Sequence, residues 1–140
     1  MRDKFFIDTN IFVYSFDKND QTKQQKANDL IKTALQMHNG IISSQVVQEF
    51  INVSTRKFST PISIQDSEKY LTKVLSPLCQ VFTSIDLYFK ALDVMDRWQF
   101  SFYDSLIVSA ALQAECNILY SEDLQHNQKI QNLTIINPFL

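Results

Sequence analysis

The chain reads as an α/β protein with three layers: a central, mainly parallel sheet of about five strands flanked by helices. Three observations predict this. Short apolar runs of four or five residues alternate with longer segments whose apolar residues recur at helical spacing. The runs are mostly apolar, as strands covered on both faces are. Glycine is confined to Gly40, which disfavours hairpin-rich all-β folds that rely on glycine at their turns.

Taken in order, "KFFI" is a buried strand interrupted by Asp8, Thr9 and Asn10, after which a helix begins at Ile11. Between Thr22 and His38, the residues Ala27, Leu30, Ile31, Ala34 and Leu35 mark a helix, with Gly40 as its stop. "GIIS" is the second strand. Ser43 or Ser44 then caps a helix striped by Val46, Val47, Phe50 and Ile51. Pro61 interrupts the chain, and "SIQDSEKYLTKVLSPL" is expected to be a capped helix ending before Pro77. "CQVFT" follows as the third strand. Ile85, Phe89, Leu92 and Met95 mark one further helix, and Leu106, Ile107, Ala110 and Ala111 another. "NILYS" and "LTIIN" complete the sheet. At 140 residues, one domain spanning 1–140 is expected.

Composition removes several function classes. A lone glycine excludes the Gly-rich loops that cradle nucleotide phosphates. A net charge of -2 exerts no general pull on polyanions, so any nucleic-acid surface must be a local basic patch. Cys79 and Cys116 read as buried free thiols rather than a disulfide or metal pair. Asp8 and Asn10 break the apolar core a leader would need, and no apolar run approaches the ~20 residues that span a bilayer. A cytoplasmic protein without membrane contact is expected.

Open parallel sheets bind ligands beyond the carboxyl ends of their strands, where strand order reverses. Asp8 follows the first strand. Glu49 shares a helix face with Val46 and Val53, Asp104 starts "YDSLIVSAAL", and Asp123 follows "ILYS" with Glu122 beside it. Each acid has a plain structural explanation. Asp8 and Asp104 suit helix starts, Asp123 suits the start of a short helix from Leu124 to Ile130, and Glu49 could pair with Arg56. Four carboxylates at one sheet edge nevertheless repel and desolvate one another, and a divalent cation compensates. Oxygen donors without His or Cys in these motifs favour Mg²⁺ or Mn²⁺. With no nucleophilic dyad or histidine base among the motifs, metal-assisted phosphodiester hydrolysis is the matching chemistry.

The segments "FIDTNIFVY", "ISSQVVQEF", "FYDSLIVSAAL" and "ILYSEDLQ" resemble, in order and spacing, the PIN domains of VapC-type toxins, over nearly the whole chain. The resemblance implies an Mg²⁺- or Mn²⁺-dependent ribonuclease. In it Asp8, Glu49 and Asp104 would be the principal catalytic and metal-site acids, and Asp123 would complete the site, partly through water. Thr9, Asn10 and Ser121 would orient Asp8 or bound water, while Glu122 would face solvent. An RNA substrate, a small antitoxin protein that occludes the site, and homodimerisation are implied as well.

Arg97, near Asp104 in sequence, is a candidate for phosphate contact. Lys23, Lys26, Lys32, Arg56 and Lys57 read mainly as solvated helix faces, and His38 and His126 as surface residues. An aspartyl phosphotransferase would need a second aspartate where Asn10 stands. The remaining alternative is a non-catalytic PIN-like module that binds RNA or protein.

Overall fold

The computed structural model describes residues 3–140. Six strands form one sheet: β1 (Phe5–Ile7), β2 (Gly40–Ser43), β3 (Cys79–Val81), β4 (Ile118–Tyr120), β5 (Lys129–Ile130) and β6 (Leu133–Ile136). Their spatial order is β3-β2-β1-β4-β6-β5. Every neighbouring pair is parallel except β5 with β6. The chain steps outward from β1 to β3, then returns to place β4 on the other side of β1. Strand order therefore reverses at the β1/β4 junction, which is where such sheets open a crevice. Phe5, Phe6 and Ile7 pair with Ile118, Leu119 and Tyr120. One further rung, from the Asp8 N–H to the Tyr120 carbonyl at 3.0 Å, continues past the strand end.

The sixth strand corrects the sequence expectation. No helix runs from Leu124 to Ile130. Asn127 takes a left-handed conformation (φ 68) and donates its N–H to the Ile135 carbonyl at 2.7 Å, turning the chain into β5.

The helices are α1 (Thr9–Tyr14), α2 (Gln21–Met37), α3 (Ser44–Arg56), α4 (Ile64–Tyr70), α5 (Ser76–Leu78), α6 (Ile85–Trp98) and α7 (Phe102–Gln113). A π turn over Leu71–Leu75 joins α4 to α5, with the Ser76 N–H reaching back to the Leu71 carbonyl. That wider turn carries the helix past Pro77, where a stop was expected. Helix α2 ends at Met37, and His38, not Gly40, supplies the left-handed cap (φ 55). Gly40 lies within β2 for another reason. A Cβ there would stand 2.2 Å from the Ala34 Cβ, so the glycine lets α2 rest directly on the sheet.

Core packing covers both sheet faces, and Phe6, Ile7, Ile42, Leu119 and Ile135 are fully buried. Helix α7 is buried continuously from Ser105 to Ala111, as a helix apolar on every side must be. In α6 the face is the reverse of the one expected. Leu87, Ala91 and Val94 are buried, whereas Ile85, Phe89, Leu92 and Met95 lie exposed. Cys116 is buried, its thiol pushed up to about 12 by burial, and Cys79 is half-buried; both are free. Among the described residues, no helix is long and apolar enough to cross a membrane.

Candidate functional site

Strand β1 stops at Ile7 and α1 starts at Thr9, so Asp8 stands at the turn between them. It does cap α1, accepting the Thr9 N–H on Oδ1 at 2.7 Å. Its Oδ2 accepts the Ser121 hydroxyl at 2.8 Å, and the residue is only 6% exposed. The Ser121 oxygen in turn accepts the Asp123 N–H at 3.2 Å. One hydroxyl just beyond β4 thus fixes the Asp8 carboxylate and the loop carrying Asp123.

Thr9 reaches the second acid, its hydroxyl donating to Glu49 Oε1 at 2.8 Å. Glu49 is half-buried on α3, and among the described residues it forms no ion pair with Arg56. Asp104 occupies the first turn of α7, but Ser101 is the cap, accepting the Asp104 N–H at 3.2 Å. Gln45 Nε2 donates to the Tyr103 carbonyl at 3.3 Å and so ties α3 to the start of α7.

Asp8, Glu49, Asp104 and Asp123 all line one open cavity of about 530 Å³ at the switch point, together with Thr9 and Asn10. Ser121 lies buried against Asp8. Asn10 Oδ1 accepts the Glu122 N–H at 3.5 Å, and its Nδ2 is buried without a partner.

Glu122 does not face solvent freely. Its carboxylate accepts the Tyr14 hydroxyl at 2.5 Å and Lys23 Nζ at 2.6 Å. Burial opposes its charge, yet the Lys23 and Tyr14 hydrogen bonds outweigh that and hold the carboxyl below its ordinary value. Lys23 lies over the rings of Tyr14 and Phe139, 4.4 and 5.3 Å from their centroids. This lysine is therefore engaged by Glu122, Tyr14 and Phe139 rather than left on a solvated face. His126 is half-buried, its Nδ1 accepting the Asn137 N–H at 2.9 Å.

Arg97 is not brought to the cavity. It sits exposed in the last turn of α6 and pairs with Asp93 at 3.1 Å. The cation that does line the cavity with the acids is Lys57, directly after α3. A signal for it was present: Gln45, Glu49, Asn52 and Val53 share a face of α3 at helical spacing, and Lys57 continues that row.

The buried acid is electrostatically strained. Desolvation pushes the Asp8 carboxyl up to about 7 from 3.8, and the Asp123 and Glu49 charges add to the rise. The Ser121 and Thr9 hydrogen bonds oppose it without cancelling it. A divalent cation would reverse that balance by favouring the charged form. Among the described residues, no three His, Cys, Asp or Glu side chains converge as a ready-made metal cage. The donors instead fit an ion that keeps several waters, as Mg²⁺ does. No His or Cys lines the cavity, and each Asp8 oxygen retains a lone pair beyond its one accepted bond.

The fold and cavity define a doubly wound α/β protein with a carboxylate-lined crevice at its topological switch point. The family model of the PIN domain matches residues 5–129, and the chain belongs to the PIN domain family. Solved structures share the fold, three of them as follows. A toxin–antitoxin complex from Klebsiella pneumoniae aligns at TM-score 0.66 and 16% identity, over 96% of this chain and 98% of that one. VapC20 of Mycobacterium tuberculosis, described as a sarcin–ricin loop cleaving toxin, aligns at 0.62 and 17%, over 84% and 88%. VapBC2 of Rickettsia felis, bound to a DNA fragment from its promoter, aligns at 0.62 and 22%, over 94% and 96%. No curated protein sequence matches the chain.

Proposed function

We propose that this chain is a single-domain, Mg²⁺- or Mn²⁺-dependent endoribonuclease and the toxin of a toxin–antitoxin pair. The observation that carries the reading is the buried Asp8 carboxylate at the switch point, sharing one cavity with Glu49, Asp104 and Asp123. The similar folds of a sarcin–ricin loop cleaving toxin and of toxin–antitoxin proteins support it.

Asp8, Glu49, Asp104 and Asp123 would hold the ion, some of them through water. When bound, a divalent cation lowers the pKa of its water and neutralises charge building on the phosphodiester. The protein's own contribution is orientation. Ser121 and the Thr9 N–H fix both oxygens of Asp8, and the Thr9 hydroxyl fixes Glu49. Asn10 Nδ2, buried at the cavity with no partner, is a free donor for a phosphate oxygen. Lys57 supplies positive charge at the rim. A small antitoxin would act by occluding this cavity, and the exposed apolar face of α6 supports self-association into a homodimer.

The test is cleavage of structured RNA by purified protein with Mg²⁺ or Mn²⁺, beside Asp8→Asn. Wild type is expected to cut and the variant to retain its fold but lose at least about a hundredfold in rate. RNA left equally intact by both would sink the nuclease reading and leave a non-catalytic binding module. Production of the chain alone is expected to arrest growth, and co-production of a small adjacent reading frame to relieve the arrest.

A further inference from the structure

We infer that the substrate site extends beyond the acids, along a basic, aromatic-floored trough that carries a single strand of RNA away from the cavity. This rests on the ribonuclease reading and adds a second binding region to it. The acid cavity shares Val13 and Lys57 with a neighbouring cavity of about 510 Å³, and that one shares Phe16 and Ile62 with a third of about 310 Å³. The three lie side by side in a row, with the carboxylates at one end and the segment of α4 and the π turn at the other.

Charge changes sign along this path. Lys18, Lys57, Lys69 and Lys73 line the two outer sections, against Asp17 and Asp66. Among the described residues, none of these four lysines forms an ion pair. A chain of net charge -2 thus gathers unpaired cations on a track leading out of its site. Phosphates are the ligand such a row matches, by charge and by the release of their counterions.

The floor suits bases. Phe16 is 37% exposed, although its ring is held by Phe50, Phe58 and Tyr70 at centroid distances of 5.8, 5.8 and 5.2 Å. An aromatic ring already anchored on one side offers its open part for stacking at little ordering cost. Stacking tolerates any base, so the trough would add affinity for single strands rather than sequence preference. An acidic polypeptide is the other occupant such charge could attract, but the row begins at the acid cavity itself, sharing Val13 and Lys57 with it, which favours the strand being cut.

The experiment is anisotropy of a fluorescein-labelled oligouridylate with the full chain in EDTA, across a salt series. Lys18→Gln/Lys69→Gln/Lys73→Gln is expected to keep the wild-type melting temperature and to bind about tenfold or more weakly. Its plot of log affinity against log salt should be shallower by about 2, at roughly 0.7 per lost phosphate contact on a single strand. In a 4-thiouridine crosslinking arm, Phe16 should be among the labelled residues. Unchanged affinity and slope, or crosslinks confined to the acid cavity, would overturn the inference. So would a triple variant that holds RNA normally but loses an antitoxin partner, since that assigns the trough to protein docking. The two readings fail separately: lysine-dependent binding without cleavage removes the nuclease, whereas cleavage with lysine-independent binding removes only the trough.

Discussion

Burial holds the Asp8 carboxyl near 7 when an unfolded aspartate ionises near 3.8. Because the folded value is raised, the Asp8 contribution to stability is complete below pH ~4 and is lost as pH climbs through about 7. In EDTA, wild type should therefore lose up to about 4 kcal/mol relative to Asp8→Asn between pH 4 and pH 8, read by urea unfolding. Added Mg²⁺ should return stability to wild type at pH 8 far more than at pH 5, and little to the variant. Equal pH dependence of the two proteins would contradict the assigned strain. At this scale the four acids were legible because three follow strand ends or open helices and the fourth lies on an apolar stripe. The state of Glu122 was not, since its partner Lys23 lies 99 residues away and meets it only through the fold. Arg97 is the converse case: near Asp104 in sequence, it lies outside the cavity because the turn between α6 and α7 separates them.

Element boundaries expose a different limit. A chain with one glycine must place other residues at its left-handed positions, and here His38, Gln99, Glu115, Asn127 and Gln131 take them. A glycine was thus the wrong marker for the end of α2, and the helix cap went unread. His38→Gly should relieve the strain and stabilise the protein by about 1 kcal/mol. Gly40→Ala should do the opposite. Its new methyl group would press on Ala34 and cost about 1–3 kcal/mol, a loss that Ala34→Gly in the same chain should partly restore. Chemical denaturation of the three variants checks both, and a harmless Gly40→Ala would refute the close contact of α2 with β2. Period and apolarity located α3, α6, α7 and the five parallel strands, but merged α4, the π turn and α5 into one helix and placed a helix at Leu124–Ile130 where none forms. They missed β5, whose two residues are too few to leave a pattern.

At the scale of the whole molecule, α6 is apolar on two sides, and sequence alone cannot say which one the fold consumes. Leu87, Ala91 and Val94 take the core, which leaves Phe82, Ile85, Phe89 and Leu92 each more than half exposed. Residues of that size gathered on one surface mark an interaction face. A series of ring contacts, Tyr88 to Phe102 (tilted) and Phe102 to Tyr103 (edge-to-face) at 6.0 and 5.6 Å, leads from this helix to the cavity rim. Light scattering should find wild type dimeric and Phe89→Asp/Leu92→Asp monomeric with its fold intact; a monomeric wild type would count against the homodimer.

The rung from the Asp8 N–H to the Tyr120 carbonyl has a last consequence, for how the site yields to its ligands. Asp8 belongs to the central ladder of the sheet, so its amide should exchange with deuterium only when the whole molecule opens. Asp123, exposed and beyond the end of β4, is tied to that ladder through Ser121, whose hydroxyl oxygen accepts its N–H while donating to Asp8. The inner wall of the crevice is therefore as rigid as the core, and the neighbouring loop is pinned to it at one hydroxyl. A crevice built this way offers its buried carboxylate at a fixed position to whatever ion or phosphate arrives, without disturbing the sheet that holds it.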